Sequence, residues 1–386
     1  MVRRWLSIIL IAGISLPATK CLILDNSPPS KSGVAATLPS LISLLGGKSY
    51  YAFLSDQPND GSPRSFLVYR SGNLRLQTWN GGPANILKGV VANGVIFAID
   101  GQTDDTIWIS RDQGSSWESW VNPTPANSTY QRLVSCNGTV IAGYANMAHS
   151  SAANSSTNPK AYYSSDQGAT FSDFYINWGG TSATTLRGLD CYGDRVYANV
   201  AGGGYLYRST IADLSAWTAA DLSDGYNGGS YRWLVASEPG LAIMVQKTGP
   251  SLDYSIDKGL TTHQAGDFMT FPTATDGGWG YGNGKYFLGV VNSSQAEKCR
   301  IYRTTQASDA PSAITPLTLN CSSAGDVRIP AMFADDSVVL MGFDYNSQAS
   351  TGLYVSVDGG ESFNSLDLSS VWTGSGFISS IASSSN

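Results

Sequence analysis

Three observations predict an all-β fold, a seven-bladed β-propeller with four-stranded antiparallel blades. Short alternating strands ending in Ser or Thr recur along the chain, at positions 71, 110, 164, 209, 255, 304 and 356. Upstream of most of them lie two apolar runs joined by a tight turn. Downstream of most lies a further short run ending near Trp or Phe. A unit of four short strands at this period cannot bury a core alone, so successive units stack as blades around an axis. A solenoid is the weaker reading, because no polar capping unit stands at either end.

The chain opens with a basic segment, Met1-Val2-Arg3-Arg4, followed by an apolar core from Trp5 to Leu16 and small residues at Ser15, Ala18 and Thr19. That is the pattern of an export signal over 1–20, and its apolar core is short for a membrane span. A Ser/Pro/Gly-rich tether fills 21–45, and the propeller is expected over 46–386. Cys21 stands where a lipid-modified cysteine would stand. The segment resembles a bacterial lipoprotein signal of the loose-lipobox type found in spirochaetes, which implies lipidation at Cys21. Ala18-Thr19-Lys20 departs from the usual lipobox, and the other reading is ordinary signal-peptidase cleavage that leaves a secreted protein.

The upstream strand pairs read KGVVANGVIFAI (88–99), RLVSCNGTVIAGY (132–144), RGLDCYGDRVYANV (187–200), GWGYGNGKYFLGVV (278–291) and RIPAMFADDSVVLMG (328–342). Asn-Gly between apolar runs signals a two-residue hairpin, since both turn residues accept positive φ. The strands that follow include TIWIS, AYYS, LDYS and LYVS, with FLVYRS, YLYRS and RIYRT as further copies of the ending. The last run, GFISSIA (376–382), is placed to pair into the first blade and close the ring. The polar insertion NMAHSSAANSSTNPK (146–160) reads as a long loop.

A turn motif, S-x-D-x-G-x-x-aromatic, recurs as SRDQGSSW at 110, SSDQGATF at 164 and SVDGGESF at 356, with a degraded copy, SIDKGLTT, at 255. Asp112, Asp166, Asp257 and Asp358 are expected to accept hydrogen bonds from turn amides. Gly114, Gly168, Gly259 and Gly360 supply a backbone angle other residues resist. Trp117, Phe171 and Phe363 are expected to pack back onto the blade. The motif resembles the Asp-box (BNR) repeat of sialidases and many non-catalytic propellers. That resemblance implies a structural role for these aspartates, on outer hairpins away from the ligand face.

Composition narrows the function. A net charge of −6 and a pI near 4.9 disfavour a nucleic-acid partner. Nothing beyond the N-terminus spans a bilayer, so membrane contact is expected only through the N-terminal lipid. The remaining four cysteines fit an oxidising compartment. Cys299 and Cys321 flank a predicted hairpin, and Cys136 and Cys191 occupy matching positions in neighbouring units. The pairing stays open at this stage. No Cys/His cluster suggests a metal, and no cofactor motif is present. His149 and His263 read as surface residues. The sequons at Asn127, Asn137, Asn154, Asn292 and Asn320 are expected from the high Ser and Asn content alone.

Aligned on their hairpin turns, Lys88, Arg132 and Arg187 occupy one position, and Arg232 and Arg328 fall within a residue or so of it. The first strand of a propeller blade lines the central channel, so these cations are expected to ring one mouth. Such a cluster costs energy unless an anion neutralises it. The competing reading is that each pairs with a local acid such as Asp190, Asp335 or Asp336. Arg328-Ile329-Pro330 is similar to the R-I-P motif of sialidases, whose arginines hold a sialic-acid carboxylate. In that family the motif precedes the first Asp-box, whereas here it precedes the last. No dedicated tyrosine and carboxylate pair is evident, although Tyr130 and Tyr231 neighbour Arg132 and Arg232. Trp178, Tyr226, Tyr231, Trp233, Trp279 and Tyr281 lie in Gly-rich connections suited to sugar stacking or, more often, to blade packing.

The expected function is therefore that of an exported, monomeric binding propeller. Its partner would be an acidic glycan or a surface protein, met at the basic mouth. A sialidase-type hydrolase and an envelope scaffold factor are the rivals. The scaffold reading draws on a resemblance to plastid and cyanobacterial photosystem assembly factors, which hold a protein partner on an arginine patch.

Overall fold

The computed structural model describes residues 47–55, 64–100, 106–123, 130–144, 146–147, 161–176, 184–200, 206–222, 231–237, 241–246, 251–267, 278–290, 300–305, 315–318, 327–345, 351–372 and 376–384. The expected signal, Cys21, the tether, Cys299 and Cys321 lie outside them. Among the described residues, strand pairing forms seven sheets.

The first sheet runs β3-β2-β1-β30, from β1 (Ser49–Ser55), β2 (Arg64–Arg70), β3 (Asn73–Trp79) and β30 (Phe377–Ser383). The next is β4 (Ile86–Ala92), β5 (Val95–Asp100), β6 (Thr106–Ser110) and β7 (Glu118–Val121). A third joins β8 (Tyr130–Cys136), β9 (Thr139–Tyr144), β11 (Ala161–Ser164) and β12 (Ser172–Phe174). The fourth is β10 (Asn146–Met147), β13 (Thr184–Tyr192), β14 (Arg195–Val200), β15 (Leu206–Thr210) and β16 (Asp213–Ala219). The fifth contains β17 (Asp221–Leu222), β18 (Tyr231–Ser237), β19 (Leu241–Gln246), β20 (Ser251–Ser255) and β21 (Thr261–Asp267). The last two are β22 (Trp279–Gly282), β23 (Lys285–Val290), β24 (Arg300–Thr304) and β25 (Thr315–Thr318), then β26 (Val327–Ala334), β27 (Val339–Tyr345), β28 (Thr351–Ser356) and β29 (Asn364–Leu366).

The expectation of seven blades, each of four antiparallel strands, requires correction. Two sheets carry a fifth strand, and one of these pairs in parallel, β17 with β21. The other, β10, leaves the β9–β11 connection and pairs with the start of β13, in the neighbouring sheet. Both added strands are two residues long and come from connections with no strand pattern.

The innermost strands β30, β4, β8, β13, β18, β22 and β26 each contact the next, and β26 returns to β30. The ring closes through β1 and β30, which pair antiparallel from Tyr50↔Ser383 to Ser55↔Phe377. The first sheet thus takes its inner strand from the C-terminal end of the chain, and neither end can complete it alone.

Core packing lies between sheets. Phe97, Ile141, Tyr144 and Leu186, from three consecutive sheets, belong to one buried cluster, and Leu54, Leu67, Leu340 and Leu353 belong to another. Strands in the middle of a sheet are buried on both faces, so β5 and β9 are buried at every residue. Outer strands are wetter, as in the mostly exposed β7. The near-continuous apolar runs of the upstream hairpins follow from this double burial.

The four S-x-D-x-G turns share one hydrogen-bond pattern. In the copy at 110, Ser110 Oγ donates to Asp112 Oδ1 (2.9 Å) and accepts from the Gly114 amide (2.7 Å). The Ser116 amide and hydroxyl then donate to the two Asp112 oxygens at 2.8 and 2.6 Å. Ser164, Asp166, Gly168 and Thr170 repeat it, as do Ser255, Asp257, Gly259 and Thr261, and Ser356, Asp358, Gly360 and Ser362. The loss of the aromatic at Thr262 leaves this core intact. Two successive residues take positive φ in every copy: Gln113 and Gly114, Gln167 and Gly168, Lys258 and Gly259, Gly359 and Gly360.

Each motif glycine also abuts a side chain of the preceding sheet. A Cβ on Gly114 would stand 2.5 Å from the Phe66 ring, and one on Gly168 would stand 2.9 Å from Phe97. Gly259 meets Tyr197 at 2.9 Å, and Gly360 overlaps Phe287. The turn therefore recurs because it wedges one sheet onto the aromatic of the last.

Two outcomes follow. Gly284 has φ +68 with nothing within 4 Å, whereas Gly114 has φ +92 and the Phe66 ring. Gly284→Ala should cost about 1 kcal/mol of left-handed strain, and Gly114→Ala about 3 kcal/mol or more, because a clash is added. Denaturant unfolding of both variants measures the difference. Secondly, the Thr170 hydroxyl and amide and the Ser164 hydroxyl hold Asp166 down at about 2. A carboxyl depressed in the fold stabilises it above the unfolded value of about 4, and the stabilisation is lost as pH falls through the folded value. Tm should therefore drop between about pH 4 and pH 2, and Asp166→Asn should flatten part of that drop.

Candidate functional site: the basic mouth of the channel

Five inner strands carry a basic residue near their start, and each is irregular there. In β4 the register jumps between Ile86↔Asp100 and Lys88↔Ile99, leaving Leu87 unpaired. In β8 it jumps between Tyr130 and Arg132. In β13 and β18 the extra residue is the basic one, Arg187 and Arg232. In β26 the shift runs from Arg328 to Ala331, across Ile329 and Pro330, where proline cannot donate to a ladder. Bulges bend a strand and re-aim its side chains, and they gather at the rims of such sheets. Nothing in the hydrophobic pattern signals them. β22 has no bulge and no cation. Gly278 just before it, and its own Gly280 and Gly282, instead lie against the backbone of Ala331–Asp335, along the adjacent β26 and the residue after it.

Backbone placement thus sets all five cations at the same end of the ring, and side-chain geometry separates three of them. Arg132 donates through Nε (2.8 Å) and Nη2 (2.6 Å) to the main-chain carbonyl of Arg187. That carbonyl belongs to the bulged residue, which is outside the β13–β14 pairing. Arg132 is therefore a fork that ties β8 to β13. Burial, with the Arg187 charge beside it, lowers Arg132 to about 10. The Arg187 Nε is buried without an acceptor. Lys88 is half-buried, and burial with the nearby Arg132 pulls its ammonium below the usual lysine value, while Asp190 acts in the opposite sense. Lys88 makes no hydrogen bond or ion pair with another described residue. The side chains of Arg232 and Arg328 lie outside the described set.

The acids proposed as local partners are engaged elsewhere. Asp190 accepts the amides of Cys191 (Oδ1, 2.9 Å) and Ala236 (Oδ2, 2.8 Å), joining β13 to β18. Burial raises its carboxyl to about 6, against the two amides and Lys88. Asp335 takes Lys48 at 3.1 Å and Tyr50 at 3.2 Å, and Asp336 takes the Asn283 amide at 2.9 Å. The opposite ends of the inner strands are held differently. Cys136 and Cys191 form a disulfide between the third and fourth sheets, and Asn137 donates to the Gly193 carbonyl beside it (2.7 Å). Tyr130, Tyr231 and Trp233 lie on inner strands, with side chains outside the described set; Trp178 and Tyr226 are outside it altogether. Tyr281 packs on Tyr286, with ring centroids 4.8 Å apart. Among the described residues, no group of His, Cys, Asp and Glu is arranged to hold a metal ion.

The disulfide closes a separation of 55 residues. Replacing Cys136 and Cys191 together by Ser should lower stability by about 4 kcal/mol on loop-closure grounds. Equilibrium unfolding of the double variant under oxidising conditions checks this.

No protein-family model matches the chain, and no curated protein matches it. Solved structures do. Virginiamycin B lyase from Staphylococcus aureus is 11% identical with a TM-score of 0.53, over 76% of this chain and 95% of that one. A streptogramin B lyase is 12% identical with a TM-score of 0.50, over 83% and 88%. The GH74 xyloglucanase of Xanthomonas campestris is 15% identical with a TM-score of 0.50, over 74% and 46%. At these identities the likeness is one of fold alone: the chain is a β-propeller.

Proposed function

We propose that this chain is an exported binding propeller that takes an anionic group of an acidic glycan or surface protein at its basic mouth. The observation that carries this is the state of Lys88 and Arg187. Both stand at bulged starts of inner strands; the Arg187 Nε is buried without an acceptor, and Lys88 makes no hydrogen bond or ion pair with another described residue. Cations gathered at one end of the ring, without acids paired to them, favour an incoming anion. Arg132 is the positioning residue, because its guanidinium is spent on the Arg187 carbonyl. The disulfide supports export to an oxidising compartment, consistent with the signal-like 1–20 and with Cys21 as a lipid anchor.

Fold does not decide between binding and catalysis. The hydrolase reading has one supporting observation: Asp190 is a carboxyl near the cations, held at about 6. Saturation-transfer NMR of the full chain with 3′-sialyllactose separates the readings, since free sialic acid appears only on turnover. A scaffold factor would ignore the sugar and retain an envelope protein in a pull-down.

Lys88→Ala and Arg187→Ala should each weaken anion binding about tenfold, the scale of one charge-assisted hydrogen bond. The salt dependence of binding should flatten as well. Unchanged affinity in folded variants would remove the site.

A further inference from the structure

We propose that a notch between the fourth and fifth sheets binds the carboxylate of an acidic side chain on a partner polypeptide. It shares no residue with the basic mouth. Arg195 opens β14 and pairs with Tyr192 at the end of β13, whereas Arg187 stands near that strand's start, so the notch lies at the other end of the ring. Tyr197 follows two residues after Arg195, and Arg208 on β15 lies directly opposite Tyr197. The three side chains therefore share one face of the sheet. The turn of the fifth sheet packs against them. A Cβ on Gly259 would stand 2.9 Å from the Tyr197 ring and 3.4 Å from Arg208 Cδ, and Arg208 Nη1 donates to the Lys258 carbonyl at 3.1 Å.

The chain holds a second copy of this arrangement with its carboxylate in place. Lys285 and Phe287 on β23, with Arg303 opposite Phe287 on β24, occupy the positions of Arg195, Tyr197 and Arg208. The turn packed against them carries Glu361 where the fifth-sheet turn carries Leu260. Glu361 Oε1 takes Lys285 Nζ at 2.9 Å and Arg303 Nη1 at 2.7 Å. The backbones agree, since the amides of Leu260 and Glu361 each donate to the motif aspartate at 3.0 Å. Leu260 thus removes the carboxylate and leaves the two cations. The turn itself does not need them: Val95 and Ile109 fill those places in the second sheet, and Tyr51 and Phe66 in the first.

Among the described residues, Asp194 is the one acid within 4.0 Å of either arginine, 3.7 Å from Arg195 Nε. It is 75% exposed, so that pair contributes little. The Arg195 Nε is buried without a hydrogen bond, and so is the hydroxyl of Tyr197, a group its counterpart Phe287 lacks. Lys258 adds an exposed cation at the rim. A carboxylate arriving where Glu361 sits in the other copy meets both arginines, the pairing guanidiniums favour. Ile256 and Leu260, 59% and 48% exposed, border the notch and suit apolar residues beside the acid.

The test is NMR titration of the full chain with acetyl-Leu-Glu-Leu-amide, its Gln counterpart and inorganic sulfate. The Glu peptide should shift the amides of 255–261 and bind about tenfold more tightly than the Gln peptide, the scale of a hydrogen bond between charged groups. Leu260→Glu should supply the carboxylate internally and abolish those shifts without lowering Tm. Glu361→Leu should open the second copy, so that the amides of 356–362 shift as well. Should either variant fail to fold, the wild-type comparison of Glu and Gln peptides decides. Equal binding of the two peptides, or shifts at 255–261 that persist in Leu260→Glu, overturns the site. Sulfate binding as tightly as the Glu peptide overturns the polypeptide as occupant. Shifts at the channel mouth with none at 255–261 overturn this proposal and leave the anion reading of the mouth standing.

Discussion

The free edge of each innermost strand is the constraint on which this ring depends. A strand at the channel pairs with its own sheet on one side only, and its other row of amides and carbonyls must find partners in a crowded interior. The structure meets this with side chains from neighbouring inner strands. Ser379 donates to the Ile86 carbonyl and Ser380 accepts the Gly89 amide, which joins β30 to β4. Arg132 takes the Arg187 carbonyl, and Asp190 takes the Ala236 amide. β10 covers the start of β13 outright. The same need accounts for polar residues at positions that are otherwise apolar.

Those staples divide the cations by role. A bulge frees a carbonyl from the ladder, and at Arg187 that carbonyl becomes the anchor for Arg132. The Nε of Arg187 itself is left without an acceptor. Farther out, each S-x-D-x-G turn is a rigid wedge whose glycine meets an aromatic or aliphatic side chain of the previous sheet. The aspartates of these turns are engaged by hydrogen bonds from their own loop. Wedges outside and staples inside join successive sheets of the ring.

Much of this was legible in the sequence. The repeated turn was readable because its Ser, Asp and Gly each answer a local need, and the Asn-Gly hairpins because positive φ is a local property: Asn93, Asn137 and Asn283 all show it. Alignment on those turns also placed the cations at one end. What was not legible depends on neighbours distant in sequence. Nothing in 146–147 or 221–222 marks a strand, since both are recruited by the edge of another element. The fork from Arg132 to a backbone carbonyl has no residue signature, and Asp190 looked like an ion-pair partner while serving as an acceptor of amides. The motif glycines were read as a matter of φ alone, because Phe66 or Phe287 stands far from them in the chain.

The central claim is that Lys88 and Arg187 form the anion site of this propeller. A bromide soak of crystals of the full chain, read by anomalous scattering, tests it most directly, since bromide reports available positive charge without any assumption about the ligand. The account predicts a strong peak between Lys88 and Arg187, absent from crystals of Lys88→Ala. Bromide confined to exposed surface cations, with none at the mouth, would contradict it.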